Sequence, residues 1–391
     1  MVLGFGAILR RLFWPRGWLL RSVVIGGWVI AGLALAYTIV WFIAAGVLEG
    51  HVRDAVITEK GASLVTSHSG LRTSGFPGTI TVEVTEPTYR YTWQRSDGSR
   101  AMLTWHDDLM TVRANPLRPT VLALDWPKLA EIVVVAPDGT RAPPVAFTAA
   151  TASAEVLLAD GRALPIRAEL TQVAAHRDNE PKPIEVLASL LLTGRYGDGR
   201  TEPSARWEVE GRDLRGTEIS AALFGPANGG ALARIDRLSG VLTVHGPLPE
   251  PTSNSAMAAW RDAHGRVDLA GFRLDAPDLK AAWQGRLNLD GQLRPSGTVD
   301  AEIEGLAPLV AASQDSPNEK PSTLESLIVV LLGLLSGQDD PNAPLPVSFE
   351  ARDGRLYAGS ALGSIPIGTL GPIDFEAKDG PLIPVQIKLG E

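Results

Sequence analysis

The stretch Gly285-Arg286-Leu287-Asn288-Leu289-Asp290-Gly291, carried on through Pro295 to Thr298-Val299-Asp300-Ala301-Glu302-Ile303-Glu304, decides the fold. Trp283, Leu287 and Leu289 share one face, and Val299, Ala301 and Ile303 alternate with Thr298, Asp300, Glu302 and Glu304. A period of two belongs to a strand, whose successive side chains point to opposite sides. Val267 and Leu269 repeat the pattern upstream against Arg266 and Asp268. Neighbouring strands that are apolar on one side and charged on the other need a cover for the apolar side.

Working outward, the same alternation returns at Ile80, Val82 and Val84, at Tyr89, Tyr91 and Trp93, at Leu103 and Trp105, at Ala154, Val156 and Leu158, and at Ile166, Ala168 and Leu170. Asp-Gly pairs stand between or beside such runs at 97–98, 138–139, 160–161, 198–199, 290–291, 353–354 and 379–380. Asp-Gly suits a type I′ hairpin, in which both central residues take positive φ. With 40 glycines and 29 prolines spread along the chain, the expectation is a mainly β (α+β) protein. Its body is one or more curved antiparallel sheets with polar outer faces and a few packing helices.

Residues 22–48 break this rhythm, since they carry no charge and are rich in Val, Ile, Leu, Ala and Trp. As a helix they span roughly 40 Å, more than the ~30 Å hydrocarbon core of a bilayer. Arg10, Arg11, Arg16 and Arg21 precede the run without an acid among them, and Glu49 follows it. Arginine beside a first span is retained on the cytoplasmic side. The expected topology is a basic cytoplasmic segment 1–21, a single transmembrane anchor 22–48, and a periplasmic bulk attached to a bacterial inner membrane. Trp18 and Trp41 lie near the ends of the run, at headgroup depth. Two other readings compete. Ala44-Ala45-Gly46 resembles a signal-peptide cleavage site, although the apolar core of such peptides is about 7–15 residues; the third is a buried soluble helix, which would need a large protein packed about it.

Composition narrows the function. A net charge of −8 and a pI near 5.4 leave no basic face for nucleic acid. The absence of cysteine excludes disulfides, thiolate metal ligands and cysteine nucleophiles. No nucleophile elbow, His-Glu-x-x-His pair, P-loop or dinucleotide-binding glycine pattern is present, so no catalytic, cofactor or metal residues are assigned and an enzyme is not expected. His106-Asp107-Asp108 is the least bland polar cluster. On a strand only His106 and Asp108 would converge, and a solvated loop explains it better. Asp339-Asp340 likewise fits a polar loop.

Two β-rich parts are expected, 49–200 and 201–391, divided near 177–201, where Pro181 and Pro183 precede an apolar piece that is either strand or short helix. A Pro/Ser/Asn linker at 247–255 precedes a short helix over 256–263. Residues 323–336, with Leu327 and Leu331 at their centre, form a leucine-rich helix able to cover a sheet. Phe76-Pro77 sits between glycines in Ser74-Gly75-Phe76-Pro77-Gly78, a fixed corner that aims its ring into the core; docking of a partner near the membrane is the alternative use.

In that order, Ser74-Gly75-Phe76-Pro77, Trp260-Arg261-Asp262, Gly285-x-Leu287-x-Leu289-Asp290 with Gly297, the leucine-rich segment, and Leu345-Pro346-Val347 before Asp353-Gly354-Arg355-Leu356 resemble the domain of unknown function 2125 family of proteobacterial envelope proteins. The likeness covers most of the chain. It departs at His264-Gly265, where the family pattern has a Gly-Gly pair. The resemblance implies a membrane-anchored periplasmic β-rich protein and supplies no activity. The architecture is also similar, more distantly, to AsmA-type envelope proteins, which are linked to lipid homeostasis or transport. The expected function is lipid binding or handling in envelope maintenance; the alternative is a non-catalytic scaffold for other envelope proteins. Candidate apolar-face or contact residues are Phe76, Pro77, Trp283, Leu287, Leu289, Val299, Ile303, Leu327 and Leu331.

Overall fold

A computed structural model describes residues 18–57, 64–94, 100–126, 131–135, 145–159, 162–176, 184–215, 234–247, 253–277, 279–305, 344–360, 363–373 and 385–386. Within them lie two helices and 21 strands. Helix α1 is Trp18–Ile57 and α2 is Asn254–Asp262. The leucine-rich segment, with Leu327 and Leu331, lies outside the described residues.

The first strands are β1 (Leu64–Ser67), β2 (Gly70–Ser74), β3 (Ile80–Thr85), β4 (Thr88–Gln94), β5 (Arg100–His106), β6 (Leu109–Asn115), β7 (Arg118–Asp125), β8 (Glu131–Val135), β9 (Val145–Thr148), β10 (Thr151–Ala159) and β11 (Arg162–His176). They pair in two antiparallel series, β2–β3–β6–β7–β10–β11 and β1–β4–β5–β8–β9–β11. Only two residues part β1 from β2, β3 from β4, β5 from β6 and β9 from β10. The two series are therefore halves of the same long strands, broken along one crease. At the crease Glu86 and Gln172 take φ of 50° and 49°, and β11 crosses it with a register shift, as a bulged strand does.

Beyond β11 the ladder is a simple meander. It runs through β12 (Ile184–Tyr196), β13 (Ala205–Arg215), β14 (Arg234–His245), β15 (Arg266–Asp275), β16 (Lys280–Leu289), β17 (Pro295–Glu304), β18 (Leu345–Arg352), β19 (Arg355–Ser360), β20 (Gly363–Leu370) and β21 (Val385–Gln386). Each strand pairs antiparallel with the next. The apolar piece after Pro183 is thus strand β12, and the ladder continues across residue 201 into β13.

The Asp-Gly signal meets its expectation at Asp353-Gly354, where φ values of 53° and 71° make the two-residue link between β18 and β19. At 290–291 it does not, because the connection is longer. Asp290 Oδ1 accepts from the backbone N–H groups of Gln292 and Arg294 at 2.8 and 2.9 Å, and positive φ falls on Leu293. At 198–199 the Asp198 carboxylate gathers the N–H groups of Arg200, Thr201 and Glu202 into a turn before β13. These three bonds hold its carboxyl well below the usual carboxylate range.

Trp41, Ala45, Leu48 and Val52 recur at helical spacing on α1 and are buried against Ile80, Val82, Val84, Met110, Val112 and Ala114. Each large apolar side chain so covered stabilises the fold by about 1.5–3 kcal/mol. Farther along the ladder, at the tips of β13, β14 and β16, α2 lays Met257 and Trp260 over Ala205, Val244 and Leu289. Ser253 caps α2 by accepting from the Ala256 N–H. The indole N–H of Trp260 donates to the His245 carbonyl at 2.8 Å, and a Cβ on Gly265 would fall 2.3 Å from the Trp260 ring, so the strand can lie this close only with glycine there. His264 precedes it with φ of 59°, a left-handed position that glycine occupies without strain.

Candidate functional site

Register decides which side chains share a face. One row crosses the sheet through Val82, Val112, Leu124, Ala154, Ala168, Leu192 and Val209. A second passes through Leu170, Leu190, Gly211, Leu238, Leu274, Ala281, Ile303 and Leu345. A third runs through Ala205, Val244, Val267, Leu287, Gly297, Ala351 and Leu356. None of these positions carries a polar side chain. The row on the opposite face is different: Glu83, Thr111, Asp125, Ser153, Glu169, Leu191, Glu210, Ser239, Arg273, Ala282 and Glu302. Period-two patterning therefore persists across strand after strand and yields one uninterrupted apolar face.

The candidate residues Trp283, Leu287, Leu289, Val299 and Ile303 all lie on this face, brought together by the pairing of β16 with β17. Phe272 of β15 stacks on Trp283 with ring centroids 5.4 Å apart. Sequence spacing alone did not single out Phe272. A one-residue bulge in β15, with Gly271 at φ of 60°, turns it onto the apolar side.

Cover is uneven along the face. Val82 and Val84 are fully buried under α1, and Leu289 is buried under α2. Along β13 to β18 Val209, Leu242, Leu269, Trp283, Leu287, Val299, Ile303 and Phe349 are only half-buried, while Leu274, Leu345 and Val347 on the same face are buried. The charged face carries ion pairs such as Arg113–Asp125 at 2.5 Å, Arg206–Glu208 at 3.1 Å and Arg286–Asp268 at 3.1 Å. Exposed pairs of this kind are worth about 0–1 kcal/mol each, so they keep that face wet more than they hold the fold. Partial burial alone would push the Asp268 carboxyl up, but Arg286, Arg266 and His245 outweigh it and hold it below its ordinary value.

Phe76 and Pro77 are placed differently from the expected corner with a ring in the core. Phe76 is 49% exposed, and the β2–β3 tip leans on α1 instead. Its ring stacks on Phe42 at 5.6 Å and meets Trp41 edge-on at 5.4 Å. The Tyr37 hydroxyl donates to the Pro77 carbonyl, and the Trp41 indole donates to the Gly78 carbonyl at 2.8 Å.

Asp107 also departs from expectation. It is 2% exposed, at the crease, while Asp108 is exposed beside it. Burial raises its carboxyl pKa, with the Leu109 N–H opposing. Thr66 Oγ1, both ring nitrogens of His68, Trp105 Nε1 and Asp107 Oδ2 are buried without a protein partner. Polar atoms so placed are the usual sites of ordered water. No group of three metal-ligating side chains occurs among the described residues.

Helix α1 contains the one stretch among the described residues long and apolar enough to cross a membrane, Ile25–Arg53, with a mean hydropathy of 2.1. Ile25, Trp28, Val29, Ile30, Leu33 and Leu35 on it are more than half exposed.

No curated protein matches the chain. The family described as "Uncharacterized protein conserved in bacteria (DUF2125)" matches residues 41–370, from Trp41 on α1 to the end of β20, and the chain belongs to that family.

Proposed function

We propose that the protein is an uncleaved, non-catalytic inner-membrane protein whose periplasmic sheet holds the acyl chains of lipid along its apolar face, in envelope maintenance. The observation that carries this reading is the half-buried stretch of that face around Trp283, Leu287 and Val299 on β16 and β17, which α1 does not cover. A dry core of this size normally finishes its own burial, and a large apolar strip left half-covered suits an apolar ligand. Retention of the anchor is supported by packing. Cleavage after Ala45 would strip Trp41 and Ala45 from the core that they form with Ile80 and Val82.

The test is mass spectrometry of lipid that co-purifies with the full-length protein after mild extraction. Wild type is expected to retain phospholipid, and Leu287→Glu and Val299→Glu to lose it while remaining folded. Equal lipid in all three would refute binding at this face. A defined protein partner recovered by crosslinking, in place of lipid, would favour the scaffold.

A further inference from the structure

We infer that the tip of the β2–β3 hairpin, residues 75–78, is a second membrane-contacting element, seated in the glycerol and upper acyl layer of the leaflet from which α1 emerges. The inference rests on the reading that α1 spans the membrane.

Contacts along α1 set the direction of the hairpin. Thr73, in its body, donates to Glu49 at 2.8 Å, whereas Pro77 and Gly78 at its tip accept from Tyr37 and Trp41. Going from body to tip thus means going down the helix towards its exposed apolar part by about 12–18 Å, at 1.5 Å per residue. Chemistry changes in step. Around the body stand Glu49, Arg53 and Arg72, with Glu49 and Arg53 paired at 2.7 Å. Ser74-Gly75-Phe76-Pro77-Gly78-Thr79 has no charge at all. An uncharged tip below a charged collar is how a protein surface crosses from water into the interfacial layer.

The exposed side chains fit the same level. Phe76 is 49% and Phe42 60% exposed although stacked on each other, and Ile43 and Val47 on the same stretch of helix are 62% and 54% exposed. Apolar patches of this kind are rare on a wet surface and ordinary against lipid. Tyr37 and Trp41 satisfy backbone carbonyls of the tip, which would otherwise enter the low-dielectric layer unpaired. Seen this way, residues 22–40 supply the ~30 Å that a bilayer core needs, and the surplus of the apolar run, from Trp41 onward, is used as protein core.

Because the chain lacks cysteine, single cysteines can report depth. Full-length protein carrying Thr79→Cys, Phe76→Cys, Ala31→Cys or Thr298→Cys is labelled with an environment-sensitive fluorophore. It is then reconstituted in vesicles of phosphatidylethanolamine and phosphatidylglycerol. Labels at 76 and 79 are expected to be quenched by lipid spin-labelled near the headgroup and shielded from aqueous iodide. The label at 31 should be quenched by deeper spin labels, and the one at 298 by iodide alone. Thr79→Cys keeps Phe76 in place, so a perturbed tip does not confuse the outcome. If 76 and 79 behave like 298 while 31 stays lipid-quenched, the tip stands in water and the inference fails with the span intact. If 31 is also open to iodide, the spanning reading fails and takes the inference with it.

Discussion

The two ends of the ladder use one pattern for different results. In β3, β6 and β7 the apolar face is pressed shut by α1, and Val82 and Val84 are wholly buried. In β14 to β18 several residues of the same kind on the same face, among them Trp283, Leu287, Val299 and Ile303, keep part of their surface open, while Leu274, Leu345 and Val347 are buried. Alternation along a strand fixes which face is apolar. What covers that face depends on elements outside the strands themselves, and here α1 covers only its own end. The difference separates residues sealed beneath a helix from residues that keep surface open.

The largest expected effect tests the closed end. Val82→Asp puts an unpaired charge beneath α1 and should destabilise the protein by more than about 4 kcal/mol, seen as loss of the folded species in protease resistance. Leu287→Asp should leave protease resistance largely intact. Comparable collapse of both would erase the distinction.

Truncation sharpens the same contrast. Ile80→Ala, at 1% exposure, is expected to cost about 3 kcal/mol, and Val299→Ala, half-buried, about 1 kcal/mol, in denaturant unfolding of the full-length protein. Equal losses would mean that the open stretch is a closed core after all.

Two carboxylates give opposite pH dependences. Burial raises the Asp107 pKa, so the folded state holds that proton more tightly than the unfolded chain. Its effect on stability is most favourable below the ordinary carboxylate pKa and is lost as pH rises through the raised value. Asp107→Asn should therefore raise the melting temperature at neutral pH. At Asp290 partial burial is outweighed by the Arg294 N–H, the Arg294 guanidinium at 2.6 Å and the Gln292 N–H, so its pKa is lowered. That contribution is present above the ordinary carboxylate pKa and is lost as pH falls through the folded value. Asp290→Asn should therefore weaken the β16–β17 turn at neutral pH and flatten acid sensitivity below about pH 4.

The smallest expected effect concerns the covering of the far end. His264→Gly should stabilise by about 1 kcal/mol, because φ of 59° then carries no side-chain penalty. Trp260→Phe should destabilise by about 1 kcal/mol, because the His245 carbonyl loses its donor. Melting temperatures of the two variants, shifted in opposite directions, check both.

Faces were legible in the sequence because alternation is local. Val267 with Leu269, Trp283 with Leu287, and Val299 with Ile303 could be assigned to one side before any pairing was known. Phe272 was hidden by a bulge, which shifts the period at Gly271. Asp107 reads from sequence as part of a wet loop, because nothing local tells that the crease buries it. Phe76 went the other way: a ring between two glycines suggested a buried corner, and only the place of α1 beside it gives an exposed one. The three Asp-Gly pairs among the described residues, at 198–199, 290–291 and 353–354, each fall in a connection between strands, the other four lying outside those residues. Turn type nonetheless followed the rest of the loop, as Asp290 shows by accepting from the Arg294 N–H.

The contrast between the two ends is tested most directly by photolabelling the full-length, membrane-embedded protein with a phospholipid that carries a diazirine on its acyl chain, then mapping the adducts by mass spectrometry. The expected result is labelling at Trp283, Leu287 and Val299 and none at Val82 or Val112. Adducts confined to α1, with the sheet unlabelled at both ends, would contradict it.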